Sequence, residues 1–255
     1  MEQFAKNFEK VITFELRGFF GKNRLQKFWR LTRTSYVMYN LLKLYEKNAR
    51  KDHVICDVGC GPGIVASFFA RRGFNIVGID IIEPLIVFAK KLFARQGLEG
   101  KFVTADIMRS SPILDSIHCN TIICIDAIEH FSDPRKSIQG FKKLLAENGG
   151  KIFLTTPNFG NPVFTLMERM WDVVGKTPGW SQLHITRLGL NQYKRLFIQE
   201  GFEIEDAGTF MLISPMLAII STRLARLVSK LEQHLFKKIP IGFMLYFTLN
   251  IENQG

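Results

Sequence analysis

Val54-Ile-Cys-Asp-Val-Gly-Cys-Gly-Pro-Gly63 is the stretch on which the reading of this chain turns. An apolar run carries an acid, and glycines follow at every second position, Gly59, Gly61 and Gly63. Val54 to Val58 read as a buried strand, and Ile64 to Arg72 as the helix leaving the bend. Glycines in the bend let backbone N–H groups approach a ligand with no side chain in the way. The stretch is a cradle for a nucleotide-like ligand.

Its spacing narrows the ligand. A dinucleotide fingerprint needs G-x-G-x-x-G, and here Ile64 stands at the third glycine position, with Gly63 one residue early. A P-loop needs a lysine after its last glycine, and none follows Gly63. Asp57, two residues before the first glycine, is a poor neighbour for a pyrophosphate. A carboxylate there suits a ligand that presents an ammonium and hydroxyls, which points to S-adenosylmethionine (SAM).

Further strands extend the pattern. Asn75-Ile-Val-Gly-Ile-Asp80 ends in an acid about 20 residues after the glycines, where a carboxylate can grip both ribose hydroxyls. Phe102-Val-Thr-Ala-Asp106 ends in another acid, suited to the adenine amino group. Cys60, Ile81 and Ile107 complete the expected cofactor contacts. Thr121-Ile-Ile-Cys-Ile-Asp126 and Gly150–Pro157 read as a fourth and a fifth strand. Helical stretches over Leu85–Gln96, Pro134–Ala146 and Leu190–Glu200 alternate with them, so a parallel sheet covered on both faces is expected. Ligands of such sheets bind beyond the carboxyl ends of the strands, where Asp57, Asp80, Asp106 and Asp126 fall.

From about Asp52 to Glu205 the chain resembles the class I SAM-dependent methyltransferases. The likeness rests on Asp57–Gly63, Gly78-Ile-Asp80, Ala105-Asp106 and Gly149–Asn158. Asp126-Ala-Ile-Glu-His-Phe-Ser-Asp-Pro134, Thr155–Asn158 and His184-Ile-Thr are similar to the O-methyltransferases of ubiquinone biosynthesis. The resemblance implies a Rossmann-like α/β fold with seven strands, the last antiparallel. It also implies an acceptor-side insertion over 159–183, rich in Phe164, Met167, Met170, Trp171 and Trp180. Those residues suit either a lid over a hydrophobic acceptor or a packed helix.

The chain has 255 residues, 47% of them apolar, enough for one sizeable core. Residues 1–50 precede the methyltransferase domain expected over 51–255. Charged residues interrupt the N-terminus, so no signal peptide is expected, and no apolar run is long enough to span a bilayer. Cys56, Cys60, Cys119 and Cys124 lack the spacing of a zinc site and read as reduced thiols of a cytoplasmic protein.

The net charge of +11 is unevenly placed. Residues 1–50 hold eleven Lys/Arg against four Glu, and 211–238 hold five against one. Both segments read as amphipathic helices, the second with a stripe through Leu217, Ile220, Leu224, Leu227, Leu231 and Leu235 over 214–238. Cationic borders on leucine and aromatic faces suit the anionic inner face of a membrane, and peripheral contact is the expectation. The competing reading is helices packed on the domain with solvated charges. Nucleic acid is not the expected partner, because Asp126-Ala-Ile-Glu stands where a base-flipping enzyme would carry an aromatic.

On the acceptor side, Asp126, Glu129 and His130 are spaced to share one face if the segment is helical. They suit a divalent ion such as Mg²⁺ that lowers the pKa of a substrate hydroxyl, or a general base at His130. In the third reading His130 only orders the loop. The resemblance associates such a cluster with a metal, although Asp126 stands where a glutamate is usual. His184, followed by Thr186 as a candidate N-cap, is the second acceptor-side histidine. The function expected is methyl transfer, most simply to oxygen of a small hydrophobic, quinone-like or lipid-linked acceptor. The alternatives are a soluble small-molecule methyltransferase and a non-catalytic binding protein on the same fold.

Overall fold

Val54–Val58 form β1 in the computed structural model, which describes residues 53–145, 150–174, 181–214, 217, 220–235 and 239–251. The basic helices expected over 1–50 lie outside the described residues, as do Trp180 and Lys237-Lys238. Every residue of β1 from Ile55 to Val58 is buried. Successive strand residues point to opposite faces, so an unbroken buried run means that both faces are covered. The same pattern marks Thr121–Cys124 of β4 (Thr121–Ile125) and Ile152–Pro157 of β5 (Lys151–Pro157).

The remaining strands are β2 (Asn75–Asp80), β3 (Lys101–Thr104), β6 (Phe202–Phe210) and β7 (Met244–Ile251). All seven form one sheet in the order β3-β2-β1-β4-β5-β7-β6. Pairing is parallel from β3 through to β5. The sheet also contains an antiparallel pairing, which must involve β7. This is the Rossmann-like architecture the sequence implies. The chain runs outward from β1 in one direction and from β4 in the other. That switch point opens a crevice beyond the carboxyl ends of β1 and β4.

The helices are α1 (Ile64–Ala70), α2 (Glu83–Gln96), α3 (Pro112–Asp115), α4 (Pro134–Leu144), α5 (Pro162–Val174), α6 (Leu190–Gln199) and α7 (Thr222–Leu235). Local chemistry sets their ends. Asp133 caps α4 by accepting from the Lys136 N–H, Pro134 opens the first turn, and Lys142 and Lys143 close the last. Gly97 ends α2 in the left-handed conformation.

Two boundaries differ from the expected ones. β3 stops at Thr104 because the Asp106 carboxylate accepts from the Met108 N–H and turns the chain. Thr186 caps no helix: residues 184–189 have no regular structure, and α6 begins at Leu190.

The residues divide into two compact units. One comprises Lys43–Thr156, Asn191–Ala207 and Tyr246–Gly255, and holds nearly all of the sheet. Its core includes a ring cluster of Tyr193, Phe197 and Phe247, with centroids 5.0 to 5.8 Å apart. Among the described residues, the other comprises those within Pro157–Leu190 and Gly208–Leu245. Within it, two asparagines hold the loop before β7. Asn158 Nδ2 donates to the Gly242 carbonyl at 2.8 Å, and Asn161 Nδ2 to that of Ile241 at 2.6 Å. Asn161 Oδ1 also accepts from the Val163 N–H at 2.8 Å, at the start of α5. Glu232 of α7, 2% exposed, accepts from the backbone N–H groups of Ile213 and Ser214 and from the Ser214 hydroxyl.

Candidate functional site

The bend after β1 is held from beneath. The N–H groups of Gly59 and Cys60 both donate to the Ile79 carbonyl, at 2.8 and 3.1 Å, and so tie the bend to β2. Gly59, Gly61 and Gly63 have φ of 73°, 50° and 74°, in the left-handed region. Each has a separate reason to be glycine. A Cβ on Gly59 would lie 2.3 Å from the Ala127 Cβ, and one on Gly63 2.9 Å from the Ala89 Cβ. A Cβ on Gly61 would meet nothing within 4 Å. Gly61 therefore faces open space at the mouth of the bend, the place a ligand needs.

Two buried carboxylates flank it. Asp80 accepts from the Gly61 N–H at 2.8 Å through one oxygen and from the Ile82 N–H at 2.9 Å through the other. Asp57 is 2% exposed, and its Oδ2 has no hydrogen-bond partner. Burial, and then the charge of Asp80, push the Asp57 carboxyl up to about 7. Burial also raises Asp80, against the Ile82, Gly61 and Ile81 N–H groups that favour its anion. An orphaned buried carboxylate oxygen next to a second carboxylate is a costly arrangement. A cation with hydroxyls satisfies both groups, and SAM fits that description.

This arrangement makes binding pH-dependent. Because the folded-state carboxyl is raised, the stability that Asp57 contributes is present below the unfolded pKa and is lost as pH rises toward 7. An ammonium ligand prefers the ionised form. SAM affinity is therefore expected to strengthen between about pH 6 and 7.5, with proton release on binding. Titration calorimetry in buffers of different ionisation heat measures that release, and Asp57→Asn is expected to abolish it.

Beyond β3, Asp106 accepts from the Met108 N–H at 3.0 Å and pairs with Arg109 at 3.2 Å, while remaining partly exposed. Ile81 is 62% exposed, a large apolar side chain at the end of β2. Ile107 is buried, and a Cβ on Gly140 of α4 would come within 2.2 Å of its carbonyl oxygen. Cys60 is buried, and burial raises its thiol well above the ordinary range.

Asp126 follows β4 with φ 50°, outside any helix. Its N–H donates to the Thr155 carbonyl at 2.9 Å, and its carboxylate accepts from the Thr155 hydroxyl at 2.6 Å. Only Ile128–His130 form a turn, of the tight three-residue type. The helical face on which Asp126, Glu129 and His130 were to meet is thus not formed, because the positive φ breaks it. Glu129 is buried and accepts from the Thr156 hydroxyl at 3.0 Å. His130 is not buried, and Glu129 and His130 bring possible ligand atoms within 4.8 Å of each other. Tyr193 belongs to the same surroundings and was not anticipated from sequence. Burial, and then the charge of Glu129, push its phenol well up.

His184 belongs to the other unit, where it is buried. Its Nδ1 meets Glu168 Oε1 of α5, and Arg187 reaches Glu168 Oε2 at 2.5 Å. Neither Glu168 nor Arg187 was anticipated. The sequence signal for Glu168 is a carboxylate among Phe164, Leu166, Met167, Met170 and Trp171 of α5, beside Arg169.

Comparisons with known proteins give the family and the fold. Residues 28–207 match the family described as "Methyltransferase domain". A ubiquinone biosynthesis O-methyltransferase of Coxiella burnetii is 34% identical over 106 residues, which are 42% of this chain and 44% of that protein. The match thus spans less than half the length of that curated relative. Among solved structures, magnesium protoporphyrin IX methyltransferase (ChlM) from Synechocystis PCC 6803 with bound SAH superposes with a TM-score of 0.66 at 16% identity. That superposition covers 99% of this chain and 100% of the other. The plantazolicin methyltransferase BpumL, in complex with a monoazolic desmethylPZN analog and SAH, gives a TM-score of 0.61 at 18% identity. It covers 98% of this chain and 92% of the other. At such identities the two superpositions speak for the fold.

Proposed function

This chain belongs to the methyltransferase domain family, and from that premise we propose that it carries the sulfonium methyl of SAM to an oxygen of a small hydrophobic, quinol-like acceptor at a membrane surface. The observation that carries the reading is Asp57 Oδ2, a buried carboxylate oxygen without a partner at the foot of the glycine bend. In this reading Asp57 and the bend hold the methionine end, Asp80 the ribose, and Asp106 with Ile81 and Ile107 the adenine. The likeness to a ubiquinone biosynthesis O-methyltransferase supports the acceptor class. Transfer is an in-line displacement, and the protein's main contribution is to hold both reactants in attack geometry.

In this reading Asp126, Glu129 and His130 handle the acceptor, with the His130 imidazole taking the hydroxyl proton. Glu129 and His130 are the residues that would hold a divalent cation, with Asp126 the third member of the set the resemblance implies. Such an ion lowers the pKa of a bound hydroxyl when present. The proton transfer to an imidazole needs none.

Membrane contact is supported by α7. Leu224, Leu227, Leu231 and Leu235 are 44 to 63% exposed along one stripe, Ile220 is 77% exposed, and Arg223 beside them is also exposed. An apolar row this bare, bordered by cations, suits an anionic lipid surface. Among the described residues no helix is long and apolar enough to cross a membrane.

The test is a turnover assay with methyl-labelled SAM and an alkyl catechol carried in anionic phospholipid vesicles, with and without chelator. An O-methylated catechol is expected, with the protein floating with the vesicles at low salt. Leu227→Glu with Leu231→Glu should leave SAM affinity unchanged and abolish flotation. Turnover with a water-soluble catechol and no flotation would leave the soluble reading in its place.

A further inference from the structure

Of the buried polar groups that the reading above leaves without a task, the Tyr193 hydroxyl carries the most. Tyr193 of α6 is 0% exposed, its ring stacked on Phe197 at 5.8 Å and set against Phe247 at 5.7 Å. Its Oη is buried and has no hydrogen-bond partner. Burial also pushes the phenol well up, so it keeps its proton. A buried hydroxyl without a partner destabilises the fold that holds it. Phenylalanine would make the same ring contacts without that cost. A local rule broken inside a well-packed ring cluster marks a functional position.

The surroundings of that hydroxyl indicate what it does. Thr156 and Glu129, 0% and 1% exposed, both act on the phenol, and all three residues belong to the compact unit that carries the cofactor bend. Thr156 Oγ1 donates to Glu129 Oε2 at 3.0 Å, which engages its proton and leaves the oxygen to accept. The preceding Thr155 donates to Asp126 at 2.6 Å. Successive residues of a strand point to opposite faces, so the two threonines of β5 hold one carboxylate each, on opposite faces. Glu129 is the carboxylate on the side of Tyr193. Tyr193 Oη stops short of hydrogen-bond geometry with Thr156. A small turn of either side chain closes the relay from phenol to hydroxyl to carboxylate.

We propose that Tyr193 is a positioning residue of the acceptor side: its phenol donates to Thr156 once the acceptor occupies the site, and through Thr156 it fixes the direction in which Glu129 offers its carboxylate. This rests on the reading above that Glu129 serves a hydroxyl acceptor. Tyr193 touches neither the acceptor nor the transferred methyl. The relay runs one way, because a carboxylate only accepts and the Thr156 proton is already engaged with it. Hydrogen bonds in series polarise one another, so the closed relay holds Glu129 more firmly than Thr156 does alone.

The test has two arms. In the first, the full chain is melted without SAM or acceptor. Tyr193→Phe is expected to melt at the temperature of the unaltered protein or above it. Thr156→Val, which strips Glu129 of a donor, is expected to melt several degrees lower. A fall as large for Tyr193→Phe overturns the proposal, whether or not the chain is a methyltransferase, because the phenol then holds the resting fold. In the second arm, Tyr193→Phe is expected to lower kcat on the alkyl catechol about tenfold or more, with the KM for the catechol and the affinity for SAM within about twofold. In a Glu129→Gln background the same change should lower kcat by no more than about twofold. An unchanged kcat, or the full loss repeated in that background, overturns the positioning role. Should Glu129→Gln not fold, Thr156→Val supplies the background with the same expectation. Absence of turnover in the unaltered chain is a different result: it strikes the reading of the function, and this inference falls with it.

Discussion

Replacing Asp80 by alanine is expected to weaken SAM binding about a hundredfold or more, while the melting temperature moves by only a few degrees. Asp80 is a buried carboxylate at the end of β2 whose two oxygens already receive the Gly61 and Ile82 N–H groups. Each oxygen has a further lone pair for a ribose hydroxyl. Hydrogen bonds to a charged group contribute about 1.5–3 kcal/mol each, so losing two of them matches a hundredfold or greater change in Kd. Stability should respond little. Burial already opposes the Asp80 anion, and removing it relieves Asp57 of a repelling neighbour. Asp80→Asn keeps one acceptor for Gly61 and should lose less. Calorimetric titration of the three proteins checks the order, and equal affinities would remove Asp80 from the site.

The second large effect concerns Gly59 against Gly61. Gly59→Ala is expected to cost about 2–5 kcal/mol, from the left-handed backbone and from a Cβ driven against Ala127. That corresponds to a fall of roughly 5–15 °C in melting temperature for a chain of this size. The contact in question is 2.3 Å, too short for any side-chain adjustment, because Ala127 offers only its own Cβ. SAM binding should fail with it, since the bend must move. Gly61→Ala has the same kind of backbone strain but no steric neighbour within 4 Å. It is expected to cost only about 1–2 kcal/mol. It should still abolish binding, because its methyl occupies the space left for the ligand. Thermal melts and SAM titrations of both variants test this separation of stability from binding. A Gly61→Ala protein that binds SAM normally would mean that the open side of the bend is not the ligand side.

Much of the sheet could be read from the residues. Residues 54–56, Thr121–Ile125 and 152–156 are continuous apolar or β-branched runs, because strands covered on both faces have no reason to alternate. The acids at their ends stood out against those runs. The acceptor side was harder. Spacing alone placed Asp126, Glu129 and His130 on one helical face, but the positive φ of Asp126 depends on Thr155, a residue of the neighbouring strand. Thr186 looked like a cap because its type is right, yet six irregular residues precede α6. Glu168 and Arg187 act on His184 across 16 residues and across 3, a meeting that only the folded chain brings about. The exposed leucine stripe of α7 was visible as a period, and its exposure needed the structure.

The central claim is that the bend after β1 is shaped to accept a sulfonium donor. Titration of the whole chain with SAM near neutral pH, run beside NAD and ATP, tests it most directly. One saturable site per chain for SAM and its demethylated product, with proton release abolished by Asp57→Asn and no heat from NAD or ATP, is the predicted result. No binding of SAM, or saturable binding of a dinucleotide or triphosphate at the same bend, would contradict it.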